Sequence, residues 1–323
     1  MFIKAASLVL LLPVLAGFSQ AAILPEKRLD NSTSCCGYVV TNRGDGYFKN
    51  QHIMDFSTLT SIDQVIKAGW KISHGYRAGG INRATGQQPW GNKTAVQIAP
   101  GQGMTLTVKG GQSPNASFFS VGEILMPWLT LGGVFEIEAK LTGVFGTTMG
   151  IFTYHAGPGQ TKVNLGWEDE QDFEMMGETL FKGNKWNKPG MSVLNYEPKT
   201  GAKSGAFVPF PAGLDPTADF HTYSISWFPS TSSSNPGKLT EYRFDGELIN
   251  TPPKYASVNP SNLIINHWTN ASPMWSAGPP VEDAVLTIRK VTAYFDKPMA
   301  IAAGTDVIKD TSCSKELACR VTM

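Results

Sequence analysis

From Gly133 to Leu141 apolar and polar side chains alternate without a break. Phe135, Ile137, Ala139 and Leu141 point one way, Glu136, Glu138 and Lys140 the other, a period of two that predicts a half-buried strand. His221 to Phe228 repeats the pattern, with Tyr223, Ile225 and Trp227 opposite Thr222, Ser224 and Ser226. Leu286 to Phe295 is a third β-rich run. Turn signals separate these runs at Gly157-Pro158-Gly159, Asn235-Pro236-Gly237, Asp245-Gly246 and Gly278-Pro279-Pro280. A helix is predicted from Ser61 to Ala68, with Ser61 as N-cap and Ile62, Val65 and Ile66 on one side. No internal repeat or interdomain linker interrupts the chain. The pattern predicts one all-β domain, most simply a sandwich of two antiparallel sheets.

Composition sharpens this picture. Among 323 residues, 41% are hydrophobic and 11% aromatic, enough for a large core. The 33 glycines and 21 prolines suit short strands joined by turns. Charged residues are only 16%, with 27 Lys and Arg against 26 Asp and Glu. That balance offers no basic field for nucleic acid or for an anionic membrane surface. Residues 157–162 lack the spacing of a phosphate loop, and no G-x-S-x-G elbow is present. A monomer is expected.

The amino terminus reads as a leader. Lys4 precedes an apolar run from Ala5 to Gly17, and Ser19-Gln20-Ala21 places small residues where a signal peptidase reads. Cleavage after Ala21 or Ala22 would send the protein out of the cell, and Lys27-Arg28 is either a second processing site or an ordinary exposed pair. Four cysteines lie near the ends: Cys35, Cys36, Cys313 and Cys319. Neighbouring cysteines seldom bridge each other, so two disulfides from the first pair to the second are expected, in either connectivity, tying the termini outside the core. Zinc is the alternative, but no histidine stands at ligand spacing. Sequons at Asn31, Asn92, Asn115 and Asn270 also fit secretion. The expected organisation is a signal peptide over 1–21, a cysteine-bearing segment over 22–50, the main domain over 51–297 and a cysteine-bearing tail over 298–323.

The segment richest in chemistry is Trp167 to Gly177, WEDEQDFEMMG. On a strand, Glu168, Glu170, Asp172 and Glu174 share one face, and Asp169, Gln171, Phe173 and Met175 the other. The plain alternative is a solvated acidic stripe or part of a cation site. In a chain this poor in charge the row has another use. Adjacent carboxylates raise one another's pKa, so one can stay protonated beside an ionised neighbour, the division of labour of glycoside hydrolysis.

Glu170-Gln171-Asp172-Phe173-Glu174 resembles the E-x-D-x-E signature of glycoside hydrolase family 16. Gly132 to Glu136, Phe152-Thr153-Tyr154, the strand Phe220 to Trp227, Phe244-Asp245-Gly246 and Asn266-His267-Trp268 resemble further family motifs, in family order. The resemblance implies a concanavalin A-like β-jelly roll and a retaining enzyme acting on a β-glucan polysaccharide, without a required cofactor. It implies Glu170 as nucleophile, Glu174 as general acid/base and Asp172 as the group that tunes both. Glu136, Tyr154, Asn195, Asn266 and Trp268 would bind substrate. A structural calcium ion occurs in the family, although nothing local defines a site.

Some positions depart from the family or stay open. Gln171 puts an amide where an aliphatic residue is usual, so it needs a buried partner or a sheet edge. Glu138 stands where related lichenases carry a basic residue, which points to altered subsites. Trp70 and Trp227 read as core, and His52 and His74 as structural. Trp167, Trp186 and Trp275 fit core or cleft, and His155 could line the groove. Hydrolysis of β-1,3- or β-1,3-1,4-glucan is the first expectation, because a glycan on Asn270 would crowd the acceptor side. Transglycosylation of cell-wall glucan or chitin-linked glucan comes second. A lectin-like binder comes third, and the intact carboxyl set argues against it.

Overall fold

The structure, a computed structural model, describes residues 35–44, 46–156, 168–197, 200–228, 240–298 and 314–323. In chain order the first strands are β1 (Tyr38–Val40), β2 (Gly46–Phe48), β3 (Asn50–Asp55), β4 (Lys71–Ile72), β5 (Gln88–Gly91) and β6 (Val96–Ala99). There follow β7 (Gly103–Val108), β8 (Phe118–Thr130), β9 (Gly133–Lys140), β10 (Thr148–Ala156), β11 (Glu168–Met176) and β12 (Met191–Tyr196). The last are β13 (Lys203–Val208), β14 (His221–Trp227), β15 (Glu241–Phe244), β16 (Glu247–Asn250), β17 (Ser261–Trp268), β18 (Ala284–Phe295) and β19 (Cys319–Val321).

Two large sheets form the jelly roll. The cleft sheet runs β13-β12-β11-β10-β17-β8-β4, with β5 beside β8. The opposing sheet runs β16-β15-β14-β9-β18-β7-β6, with β3 beside β18. The apolar halves of the alternating strands meet between them: Phe135, Ile137 and Ala139 of β9 and Tyr223, Ile225 and Trp227 of β14 face Ile151, Phe173 and Ile265 of the cleft sheet. Trp70 is buried in this core as expected, its indole Nε1 donating to His52 Nε2 at 3.1 Å. The predicted helix is α1 (Ile62–Lys67), where the Ser61 amide donates to Gln64 Oε1 at 3.0 Å as half of a capping box. The Asp245-Gly246 turn takes φ of +47° and +81°, the two positive values a tight hairpin requires.

The termini are fastened together outside the main core, as expected, and there they build a third sheet, β19-β1-β2, with β1 and β19 parallel. Val40 and Phe48 pack on Val134 and Tyr294, on the outer face of the opposing sheet. Ser224 and Ser226 are therefore buried rather than solvated. Cys35 and Cys319 are joined, with Cα atoms 5.7 Å apart; Cys36 is also in a disulfide, and Cys313 lies outside the described residues. The leader, the Lys27-Arg28 pair and the Asn31 sequon lie outside them too. Among the described residues no helix is long and apolar enough to cross a membrane, and no group of three His, Cys, Asp or Glu side chains is placed to hold a metal ion. The calcium ion that the resemblance allows thus finds no such ligand set there, and no step below draws on it.

Candidate active site

Register turns the free face of the cleft sheet into three rows that cross the strands. One row reads Glu123, Asn266, Gly150, Glu174, Ser192 and Phe207, from β8 to β13. The next reads Leu125, Ile264, Phe152, Asp172, Leu194 and Gly205. The third reads Leu129, Asn262, Tyr154, Glu170, Tyr196 and Lys203. The three expected carboxyl groups thus occupy one column, each with a row of its own. They line a cleft of about 900 Å³ together with Tyr154, Asn266, Trp268, His155 and Glu123.

The electrostatics of the column follow from its burial. Asp172 is buried, and its pKa lies well above the usual value, first from loss of solvent and then from the Glu170 and Glu174 charges. It hydrogen-bonds Glu170, a contact between two carboxyl groups that needs a proton on one of them. Loss of solvent also raises Glu174 to about 7, against the opposing pull of a Trp275 hydrogen bond and the Lys203 charge. A carboxyl group poised there can give a proton and take it back near neutrality.

Asn266 is seated with care. Its Nδ2 donates to Glu123 Oε2 at 3.2 Å, while its Oδ1 is buried without a protein partner. A Cβ on the neighbouring Gly150 would lie 2.5 Å from that oxygen, which explains the glycine between Asn266 and Glu174. Trp268 is almost wholly buried, its ring packed on Gly79 and Gly80 so closely that a Cβ at Gly79 would meet it at 2.8 Å. One edge of the indole faces the cleft.

Two expected substrate residues are elsewhere. Glu136 projects from β9 on the outer side of the opposing sheet, where it pairs with buried Arg43 at 3.1 Å. Its neighbour Glu138 pairs with Arg289 at 2.7 Å on that side, so the departure at Glu138 does not bear on the cleft. Alternation assigns a side chain to one face of its sheet without saying which sheet it joins. Asn195 sits opposite Gln171 on the core face of β12 and is fully buried, donating to Thr240 Oγ1 at 3.1 Å and Lys254 O at 3.2 Å. The Gln171 amide finds the partners its burial demanded in Thr153 and Thr240.

The Asn270 sequon is also corrected. Asn270 is 3% exposed, its Nδ2 donates to Gly80 O at 2.9 Å, and its Oδ1 accepts from Ser276 Oγ at 2.8 Å. A glycan on that nitrogen would break the loop, so crowding of the acceptor side by sugar there no longer weighs on the reaction. Asn115 is exposed; Asn92 is half-buried and donates to Ser120 Oγ at 2.8 Å. Trp167 lies outside the described residues.

Sequence reasoning missed Glu123. It lies in the apolar run Val121 to Met126, accepts from Ser73 Oγ and Asn266, and burial raises it to about 7. A lone carboxylate inside an otherwise apolar strand was the available signal. Trp275, left open between core and cleft, packs beside Phe207 and Lys203 of β13.

Comparison with known proteins agrees with this geometry. The family model "Glycosyl hydrolases family 16" matches residues 85–282. The chain is 34% identical over 142 residues to a putative xyloglucan endotransglucosylase/hydrolase of Arabidopsis thaliana, covering 43% of this chain and 42% of that one. A second such plant protein is 32% identical over the same length, and the chain spans less than half of either relative, 42% and 41%. A Bacillus licheniformis β-glucanase superposes with a TM-score of 0.56 at 19% identity, over 76% of this chain and 98% of that one. The catalytic domain of an endo-1,3-β-glucanase (laminarinase) from Thermotoga petrophila superposes at 0.55 with 17% identity, over 76% and 97%. With its model matched across more than half the sequence and its two-sheet fold shared, the chain belongs to glycosyl hydrolases family 16.

Proposed function

We propose that the protein is a secreted, retaining endo-β-glucanase that cleaves β-1,3- or β-1,3-1,4-glucan by double displacement. The observation that carries this reading is the column Glu170-Asp172-Glu174 on the cleft floor, with buried Asp172 bonded to Glu170 and Glu174 raised to about 7. Glu170 attacks the anomeric carbon while Glu174 protonates the departing glycosidic oxygen. Glu174, now ionised, then takes a proton from water as that water displaces Glu170. Asp172 shares its proton with Glu170 and so limits the negative charge packed into the column. Asn266 offers its free Oδ1 to a sugar hydroxyl, and Phe152, Tyr154 and Trp268 give the apolar sugar faces a surface.

Two measurements test the reading. Azide should rescue Glu174→Ala with a β-configured glycosyl azide and Glu170→Ala with an α-configured one. Near-wild-type turnover in either variant, before rescue, would sink the assignment. Product lengths from defined oligosaccharides decide between water and sugar as acceptor. The names of the curated relatives, which join transglucosylase with hydrolase, support transfer as the second reading. Shorter reducing sugars alone support the hydrolase; products longer than the donor establish a transglycosylase.

A further inference from the structure

We propose that Trp186, with Met274 beside it, is a second polysaccharide contact outside the cleft, a platform for a β-glucan chain that runs on past the Glu174 end. The proposal rests on the glucanase reading above. Trp186 fitted core or cleft by sequence and serves neither: it is 46% exposed, on the loop between β11 and β12, and is not among the residues that line the cleft. Met274, on the loop after β17, is 55% exposed. One side chain joins the two loops. Asn187 follows Trp186 in the chain, and its Nδ2 donates to Met274 O at 2.7 Å and lies 3.7 Å from Met176 Sδ.

Register places this junction at the rim of the cleft. Thr148 of β10 pairs with both Met176 and Trp268, so the two loops leave the cleft sheet at the same rim, two residues beyond the row that holds Glu174. A glucan chain leaving the cleft over that rim meets Trp186 next. The loop holds the ring in a fixed pose. Asn184 Oδ1 accepts from Trp186 N at 2.9 Å and from Asn187 N at 2.8 Å, and Asn184 N donates to Asn187 O at 2.9 Å. Lys185 Nζ stands 5.0 Å from the indole centre. A ring fixed before its ligand arrives loses little freedom on binding. A lone exposed aromatic is unremarkable, but one bridged to a second exposed apolar side chain and rimmed by polar groups marks a contact surface. The indole offers an apolar face to the C–H face of a sugar and an N–H to its hydroxyls. From Phe181 to Pro189 the chain carries Lys182, Lys185 and Lys188 and no acidic residue, which adds further donors for hydroxyl edges. Aromatic and lysine side chains also suit an anionic lipid surface; the rim shared with the cleft favours the glucan.

The test compares wild type with Trp186→Ala on soluble β-1,3- and β-1,3-1,4-glucan polymers and on the corresponding tetrasaccharides. KM for the polymer should rise about fivefold with kcat unchanged, because a contact made equally in ground and transition states has been lost. The tetrasaccharide, which engages the cleft alone, should be cut with unchanged constants. Met274→Glu should give the same polymer-only loss, since it removes apolar surface without touching the carbonyl that Asn187 holds. It decides the matter if Trp186→Ala lowers the melting temperature sharply. An unchanged polymer KM in both variants, or equal losses on polymer and tetrasaccharide, would overturn the proposal. So would binding of wild type to phosphatidylserine vesicles that Trp186→Ala abolishes while polymer KM stays put, which would assign the patch to a lipid surface. The wild type separates the two levels: failure to cut either substrate refutes the glucanase reading, whereas cleavage of both, unaffected by the variants, refutes only the platform.

Discussion

Gln171 Nε2 donates to Thr153 Oγ1 at 2.9 Å on the core side of the strand whose other side carries Glu170, Asp172 and Glu174. Thr240 donates to the Gln171 carbonyl, Asn195 Nδ2 reaches Thr240 Oγ1 at 3.1 Å, and Tyr242 Oη reaches Asn195 Oδ1 at 2.9 Å. This buried polar chain joins β10, β11, β12 and β15 behind Glu170 and Asp172. Every member is satisfied by another, which is the condition under which such a network stiffens a core.

Gln171→Leu should destabilise the fold by roughly 2–4 kcal/mol, because Thr153 and Thr240 are left buried with lost partners. Adding Thr153→Val should recover part of that loss, the signature of a direct coupling. Denaturant melts of the two single variants and the double variant measure it; simple additivity would show that the pair is not coupled.

Stability should fall as pH rises from about 4.5 to about 7. Burial first raises both Glu123 and Glu174 from 4.5 to about 7, so in that window the folded chain binds more protons than the unfolded one. Their contribution is full below 4.5 and is lost as the pH passes 7. Urea melts across the range, with Glu123→Gln for comparison, check the sign: the variant should show a shallower decline.

The Cys35–Cys319 bridge closes a loop of 284 positions. Replacing both cysteines by serine should cost about 2–5 kcal/mol, and the β19-β1-β2 sheet should lose hydrogen-exchange protection first. Activity at 25 °C should persist, since this sheet lies on the opposing sheet, away from the cleft. A parallel loss of activity and terminal protection would contradict that separation.

Much of this was legible in residue order. A period of two put Glu170, Asp172 and Glu174 on one face and Gln171 on the other, and the demand for a partner at Gln171 was correct. What the order could not supply was the pairing of distant strands. Glu136 has the alternation of a cleft residue and belongs to the other sheet, while Asn195 is a plausible sugar ligand turned into the core. The serines of β14 are buried because the chain ends fold over them, a covering made by segments that the Cys35–Cys319 bridge joins across 284 positions. Asn270 carries a glycosylation signal, yet its amide is spent on the loop it would decorate.

The cross-strand rows give the cleft a modular grammar. Each row takes a single residue from each of six strands, and neighbouring rows differ by a two-residue step along a strand, widened by a bulge in β8. A point replacement such as Leu125 or Ile264 to a polar residue therefore rewrites one cell of one row and leaves the carboxyl column untouched. A one-residue insertion within a strand would instead turn that strand's letters over, sending core residues into the groove. Substitution within strands therefore alters the cleft one position at a time, whereas a length change leaves the column in place only when it falls in the loops.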